Sequence, residues 1–214
     1  MYLIKVFKLI VLLLLMICNG YSQEDQLFIE FKNKIFNMPK HSCDFVLNLD
    51  VDFIKISEKR GNLLYDPVKG VDYKFEGVGF FPKKAINNQM KEMFSSEYTV
   101  IKIAEDIESA KYKIVPSNIY ADIVLADVVI GKEHANIFEI TAVTKDSGAL
   151  KMLFSYPSLN YDFPSKVELI FQLKNRKLPA SFTGDFESMG DDFDVDKLSE
   201  AKIIMLYSNY KILQ

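Results

Sequence analysis

The chain has 214 residues, with 26 Lys and Arg against 29 Asp and Glu and a formal net charge of −3 at pH 7. An acidic balance argues against a nucleic-acid partner, whose phosphates call for a basic face. Apolar residues make up 49%, with 17 Phe, 11 Tyr and no Trp, which is enough for one β-rich domain with a real core and too little chain for two.

The chain opens with Lys5 and Lys8, an apolar run from Leu9 to Ile17, and then Asn19-Gly20-Tyr21-Ser22. A cationic start, a greasy middle and a small-residue exit predict a secretory signal peptide over residues 1–22, cut before Gln23. The run is too short to cross a ~30 Å hydrocarbon core as a helix. A retained anchor would need the apolar residues of Tyr2 to Phe7 to lengthen the span, and lipidation at Cys18 would need a small residue where Met16-Ile17 stand. Removing the peptide takes away two lysines and no acidic residue, so the exported chain, one domain over residues 23–214, is more acidic still. It is expected to be exported and soluble.

Leu27, Phe28, Phe31 and Ile35 fall at helical spacing before Pro39, so residues 25 to 37 are expected to form an amphipathic helix capping a sheet. Cys43 is the one cysteine left after export, so no intramolecular disulfide forms. The charge of Asp44 beside it raises a thiol pKa, which points to a buried, idle thiol. From Phe45 to Phe53 apolar and polar residues alternate as in a strand, and Ile54 and Ile56 then change parity, predicting a bulge or bend near Phe53-Ile54. Arg60-Gly61 is expected to turn the chain into Leu63-Leu64-Tyr65, and Asp66-Pro67 with Lys69-Gly70 to turn it again into the alternation of Val71, Tyr73 and Phe75.

Gly77 to Pro82 reads as a connection laying Phe80 and Phe81 over the sheet. Ile86, Met90, Met93 and Phe94 then mark a second amphipathic helix over residues 84 to 95, with a deformable Met and Phe stripe. Strands follow at 98–103, 110–115, 123–130, 137–144, 150–156 and 166–173, joined by turns too short for helical crossovers, so the sheet is antiparallel. Residues 185 to 200 are rich in Asp and Glu and read as a solvated loop. An EF-hand reading from Asp192 fails because Lys197 stands at the glycine position. Ile203 to Ile212 is expected to be a last strand at a sheet edge.

The residues that carry chemistry elsewhere are sparse. His41 and His134 sit beside Lys40 and Glu133 and read as surface or turn histidines. Nucleophile-elbow, phosphate-loop and zinc-spacing motifs are missing from the sequence, and Gly77-Val78-Gly79 lacks the third glycine of a nucleotide fingerprint. Asp50 and Asp52 share a strand face about 7 Å apart, which a glycosidase pair could use, but alternating polar residues on the solvent face of a strand explain them more cheaply. No catalytic residue, metal or cofactor is expected. Composition leaves a packed core and an apolar ligand cavity both open.

The order of elements resembles a known family, the LolA-like periplasmic outer-membrane lipoprotein carriers and lipoprotein-sorting proteins. The likeness rests on VDFIKISEKRGNLLYDP (Val51 to Pro67), YKFEGVGFFPKKAI (Tyr73 to Ile86), KDSGALKMLFSY (Lys145 to Tyr156) and FPSKVELIFQL (Phe163 to Leu173). LPASFTGDF (Leu178 to Phe186) and YSNYKI (Tyr207 to Ile212) resemble the ends of those chains, whereas Val129 to Lys132 departs from the aromatic-Ile-Asp turn of the relatives. The resemblance implies an α+β fold, a curved antiparallel sheet forming an incomplete β-barrel with helices covering its open, apolar side. It implies a monomeric, non-enzymatic carrier of lipid or lipoprotein acyl chains, working between membrane-bound donor and acceptor proteins. The cavity and lid residues expected on this basis are Leu47, Leu49, Val51, Phe53, Phe80, Phe81, Met90, Met93 and Phe94. A non-catalytic envelope scaffold or adaptor with a solid core is the alternative.

Overall fold

A computed structural model describes residues 25–51, 54–55, 58–75, 94, 97–118, 123–145, 148–158, 162–173 and 199–213. The first element is the helix α1, Gln26–Phe36. Asp25 starts it: its backbone is extended and its carboxylate accepts a hydrogen bond from the Leu27 amide at 3.1 Å, satisfying one of the orphan donors of the first turn. The same carboxylate accepts the Tyr112 hydroxyl at 2.6 Å and pairs with Lys102 at 2.7 Å, so the cap also ties the helix to the sheet. Those two partners hold the Asp25 carboxyl below its usual pKa, Lys102 contributing most. Asp25→Ala removes the cap and both ties. It is expected to cost about 1–2 kcal/mol, read as a lower Tm in thermal melts.

The strands are β1 (His41–Val51), β2 (Ile54–Lys55), β3 (Lys59–Asp66), β4 (Gly70–Phe75), β5 (Tyr98–Glu105), β6 (Ser109–Pro116), β7 (Ile123–Gly131), β8 (Ile137–Thr144), β9 (Gly148–Ser155), β10 (Lys166–Leu173) and β11 (Ser199–Ile212). They form one antiparallel sheet in the order β4-β3-β1-β11-β10-β9-β8-β7-β6-β5, with β2 paired on the end of β1. The sheet is curved and is not closed into a barrel. Among the described residues no pairing joins β4 to β5, and no helix is long and apolar enough to cross a membrane.

Strict alternation puts one face of each strand inside. Cys43, Phe45 and Leu47 of β1 are buried, as are Ala110, Tyr112 and Ile114 of β6 and Ala126, Val128 and Ile130 of β7. The intervening residues face water and are knitted by charge. Asp127 lies between Lys111 and Lys113 at 3.0 and 2.6 Å, and Glu168 lies between Lys166 and Lys202. Such part-exposed pairs contribute little each, but those that run between strands favour this register.

The interior divides into two apolar clusters. One is built from β1, β3, β4, β10 and β11, with Phe45, Leu47, Leu169, Phe171, Ile203 and Met205 among its members. The other joins Phe28 and Phe31 of α1 to the inner faces of β6, β7 and β8. Phe94 belongs to this second cluster, with its ring 6.0 Å from Phe28 and 5.4 Å from Phe31. The expected connection over residues 77–82 lies outside the described residues. So does the expected helix at 84–95, apart from the helical Phe94.

Four expectations need correction. The last strand does not fill an edge: β11 is inserted between β1 and β10 and pairs along nearly its whole length with both. Arg60-Gly61 is not a turn but part of β3, where Gly61 lies between Phe45 and Phe75 in the ladder. Glycine occurs inside strands as well as in turns. The expected bend near Phe53-Ile54 is a reversal of direction, since Ile54 and Lys55 pair back onto Val51 and Asp50. His41 is not a surface residue but is buried, because it shares the parity of Cys43, Phe45 and Leu47.

The turn at Asp66 forms as expected. Its carboxylate accepts the amides of Val68 and Lys69 at 2.9 and 3.1 Å, and Gly70 takes the positive φ of 82° that closes the hairpin. Where the sequence departs from the resembling family, a Cβ at Gly131 would strike the ring of Phe138, so a side chain there needs that ring to move.

Candidate ligand cavity

A partly open cavity of about 240 Å³ lies on the inner face of the sheet, at the seam between the two apolar clusters. Its floor is β9, whose Met152 and Phe154 pack against both clusters. One wall comes from the first cluster, where the ladders set residues side by side: Tyr73 against Leu63 and Leu63 against Cys43, then Met205 against Val167 and Val167 against Phe154. The opposite wall comes from the helix side, with Phe31 and Ile35 of α1, Ala135 before β8 and Ile137 at its start. The cavity lies between two separate packing centres, of which α1 joins only the second, so the space between them is left unfilled.

One end of the cavity is aromatic. The His41 ring stacks on Tyr65 at 5.1 Å and lies 4.6 Å from Phe163, which stacks on Tyr210 at 4.7 Å and 18°. His41 Nδ1 is 2.8 Å from the Pro39 carbonyl oxygen, which can only accept, so this nitrogen carries the hydrogen and donates it. Burial lowers the His41 pKa and that hydrogen bond opposes the shift only in part. The folded protein therefore holds His41 neutral below the imidazole value of 6.5. Its stabilising effect is fully present above that value and is lost as the pH falls through the folded pKa. In urea unfolding, the midpoint is expected to drop between pH about 7.5 and about 5.5, and His41→Phe, which keeps the ring stack without the titration, is expected to flatten that drop.

The remaining polar groups of the lining do not offer reactivity. Burial pushes the Cys43 thiol up to about 12, with the Asp44 charge adding to the effect and a hydrogen bond with Tyr210 opposing it. Such a thiol is a packing residue and not a nucleophile at neutral pH. The hydroxyls of Tyr73, Tyr156, Tyr207 and Tyr210 are likewise raised by burial and stay protonated. Charge enters the lining at the rim, through Lys34 of α1 and Asp162 before β10, which pair at 2.8 Å. Among the described residues no group of three or more His, Cys, Asp or Glu could hold a metal ion.

The site residues expected from the sequence are distributed as follows. Leu47 is buried in the first cluster and Leu49 packs against it. Val51 ends β1, and Phe94 is buried in the second cluster. Among the described residues that line the cavity, Leu47, Leu49 and Phe94 do not appear. Phe53, Phe80, Phe81, Met90 and Met93 lie outside the described residues. The lining instead uses His41 and Cys43, earlier positions on the same face of β1, together with Tyr65, Val167, Met205 and Tyr210. Parity along β1 could have found the first two. The others depend on which strands become neighbours.

No protein-family model and no curated protein matches the sequence. Solved structures do match. A LolA superfamily protein from Nitrosomonas europaea superposes with a TM-score of 0.53 at 7% identity, over 88% of this chain and 92% of that one. A DUF1329 family protein from Desulfovibrio piger gives 0.51 at 9% identity, over 88% and 93%. A structure described as an outer membrane lipoprotein-sorting protein domain, from Vibrio parahaemolyticus, gives 0.51 at 9% identity, over 87% and 91%. At these identities the likeness concerns architecture.

Proposed function

We propose, on the LolA-like fold of this chain and the cavity on its inner face, that it is an exported, non-catalytic carrier that shelters an acyl chain of a lipid or lipoprotein and passes it between membranes. The cavity is the observation that carries this reading, because a solid-cored envelope adaptor would have no use for an apolar space between two packing centres. Its volume of about 240 Å³ lies just below the ~300–1,000 Å³ of common ligand sites, which suits one slender chain. Each buried methylene contributes about 0.8 kcal/mol, so a single chain is held firmly without covalent chemistry.

In this reading residues 1–22 are the signal peptide, cleavage before Gln23 frees a soluble periplasmic monomer, and no cofactor takes part. Phe80, Phe81, Met90, Met93 and Phe94 serve as cavity and lid residues, with Leu47, Leu49, Val51 and Phe53 from the first strand. Membrane-bound proteins act as donor and acceptor. Exchange proceeds by opening the lid and by competition from a better site downstream. Titration with a fluorescent acyl-chain probe tests the reading: saturable binding at one site per chain supports it, and fluorescence that stays at the level of probe in buffer would overturn it.

A further inference from the structure

We infer that the rim of the cavity holds an anion seat at Lys34, which selects a single-chain ligand ending in a carboxylate, a long-chain fatty acid. The inference rests on the carrier reading and gives its ligand a head group. The Lys34 ammonium has three donors, and two of them are spent inside the protein: Nζ lies 3.0 Å from the His134 carbonyl oxygen and 2.5 Å from Asn136 Oδ1. Asn136 is 4% exposed and itself lines the cavity, so this pair of acceptors is fixed and neutral. They aim the ammonium without cancelling its charge.

The third partner is different in kind. Asp162 neutralises Lys34 across 2.8 Å, but its side chain is 71% exposed against 27% for Lys34. An ion pair with one partner so well solvated contributes little, and its carboxylate can swing into water at small cost. Asp162 therefore stands in the place of a ligand carboxylate. It covers the cation while the cavity is empty and yields when an acyl chain brings its own carboxylate to the rim. The exchange replaces one carboxylate by another on the same donor, so no charge is left buried and unpaired. Lys34 and Asp162 line the same cavity as the apolar wall of Phe31 and Ile35, and Lys34 and Ile35 are successive residues of α1. Head and chain thus meet contiguous surfaces. A neutral alcohol or ester would fill the apolar part but leave the Lys34–Asp162 pair in place.

Competition against a fluorescent acyl probe, using dodecanoate and dodecanol at pH 7.5, tests this on the full chain. The wild type is expected to bind the acid about tenfold or more tightly than the alcohol, as a charge-assisted hydrogen bond in a part-buried site would give. Lys34→Met should remove the preference and keep alcohol binding, Lys34→Arg should retain it, and Asp162→Asn should tighten acid binding by freeing the seat. Circular dichroism of each variant checks folding. Equal affinity for acid and alcohol in the wild type, or a preference that survives in Lys34→Met, overturns the anion seat while leaving the carrier reading intact. Failure of both ligands to displace any bound probe overturns the carrier reading and the seat with it.

Discussion

Met152→Trp is expected to abolish acyl-chain uptake while leaving the protein folded. Met152 lies on the floor of the cavity and packs against both apolar clusters, so a side chain there projects into the seam that the ligand would occupy. It is only partly buried, which gives a larger ring room to grow into the cavity instead of into the sheet. Overpacking of this kind costs about 1–3 kcal/mol, less than the stability of an ordinary domain. The expected readout is a loss of probe binding of at least about a hundredfold, from the displacement of several methylenes at about 0.8 kcal/mol each. Met152→Ala is the companion: it widens the cavity and should preserve uptake. Undiminished binding in folded Met152→Trp would place the ligand elsewhere.

Phe28→Ala is expected to have the largest effect on the fold itself. Phe28 is fully buried, and its ring lies 6.0 Å from Phe31, 6.0 Å from Phe94, 6.1 Å from Tyr98 and 5.2 Å from Tyr112. It is the point at which α1, β5, β6 and Phe94 meet. Truncation removes the apolar surface, the edge-to-face ring contacts and the packing around them, at a cost of about 3–5 kcal/mol. Against a total of about 5–15 kcal/mol, that takes away a large share of the stability. Chemical denaturation should show a markedly lower midpoint, and since α1 is one wall of the cavity, probe uptake should fall with it. A change below about 1 kcal/mol would mean that α1 does not anchor the second cluster.

Local chemistry explains which parts of this architecture could be read in the sequence. The helix α1 was legible from an apolar stripe bounded by Asp25 and Pro39, and β8 and β10 from alternation bracketed by turn residues. Neighbour order was not legible. Nothing local in Ile203 to Ile212 distinguishes an edge strand from one inserted between β1 and β10, because that choice is made by residues far apart in the chain. Gly61 misled because glycine occurs both in turns and inside strands. His41 misled because its neighbours Lys40 and Ser42 are polar, whereas its strand parity was the better guide.

The cavity inherits this division. An apolar inner face and a covering helix were legible, and both are present. The lining was not, since Tyr65, Val167, Met205 and Tyr210 become neighbours only through the register of β3, β1, β11 and β10. The role inferred for Lys34 was equally out of reach, because its partners His134, Asn136 and Asp162 lie more than one hundred residues away except for the first, at a separation of 100. Sequence patterning marks faces, and long-range pairing decides which faces enclose a space.

Native mass spectrometry of the full chain purified from cell-envelope extracts tests the central claim most directly. The account predicts a population carrying one lipid or acyl-chain adduct of discrete mass, released on activation and reduced in Met152→Trp. Protein that is consistently free of ligand, together with an unchanged spectrum after incubation with acyl lipids, would contradict it.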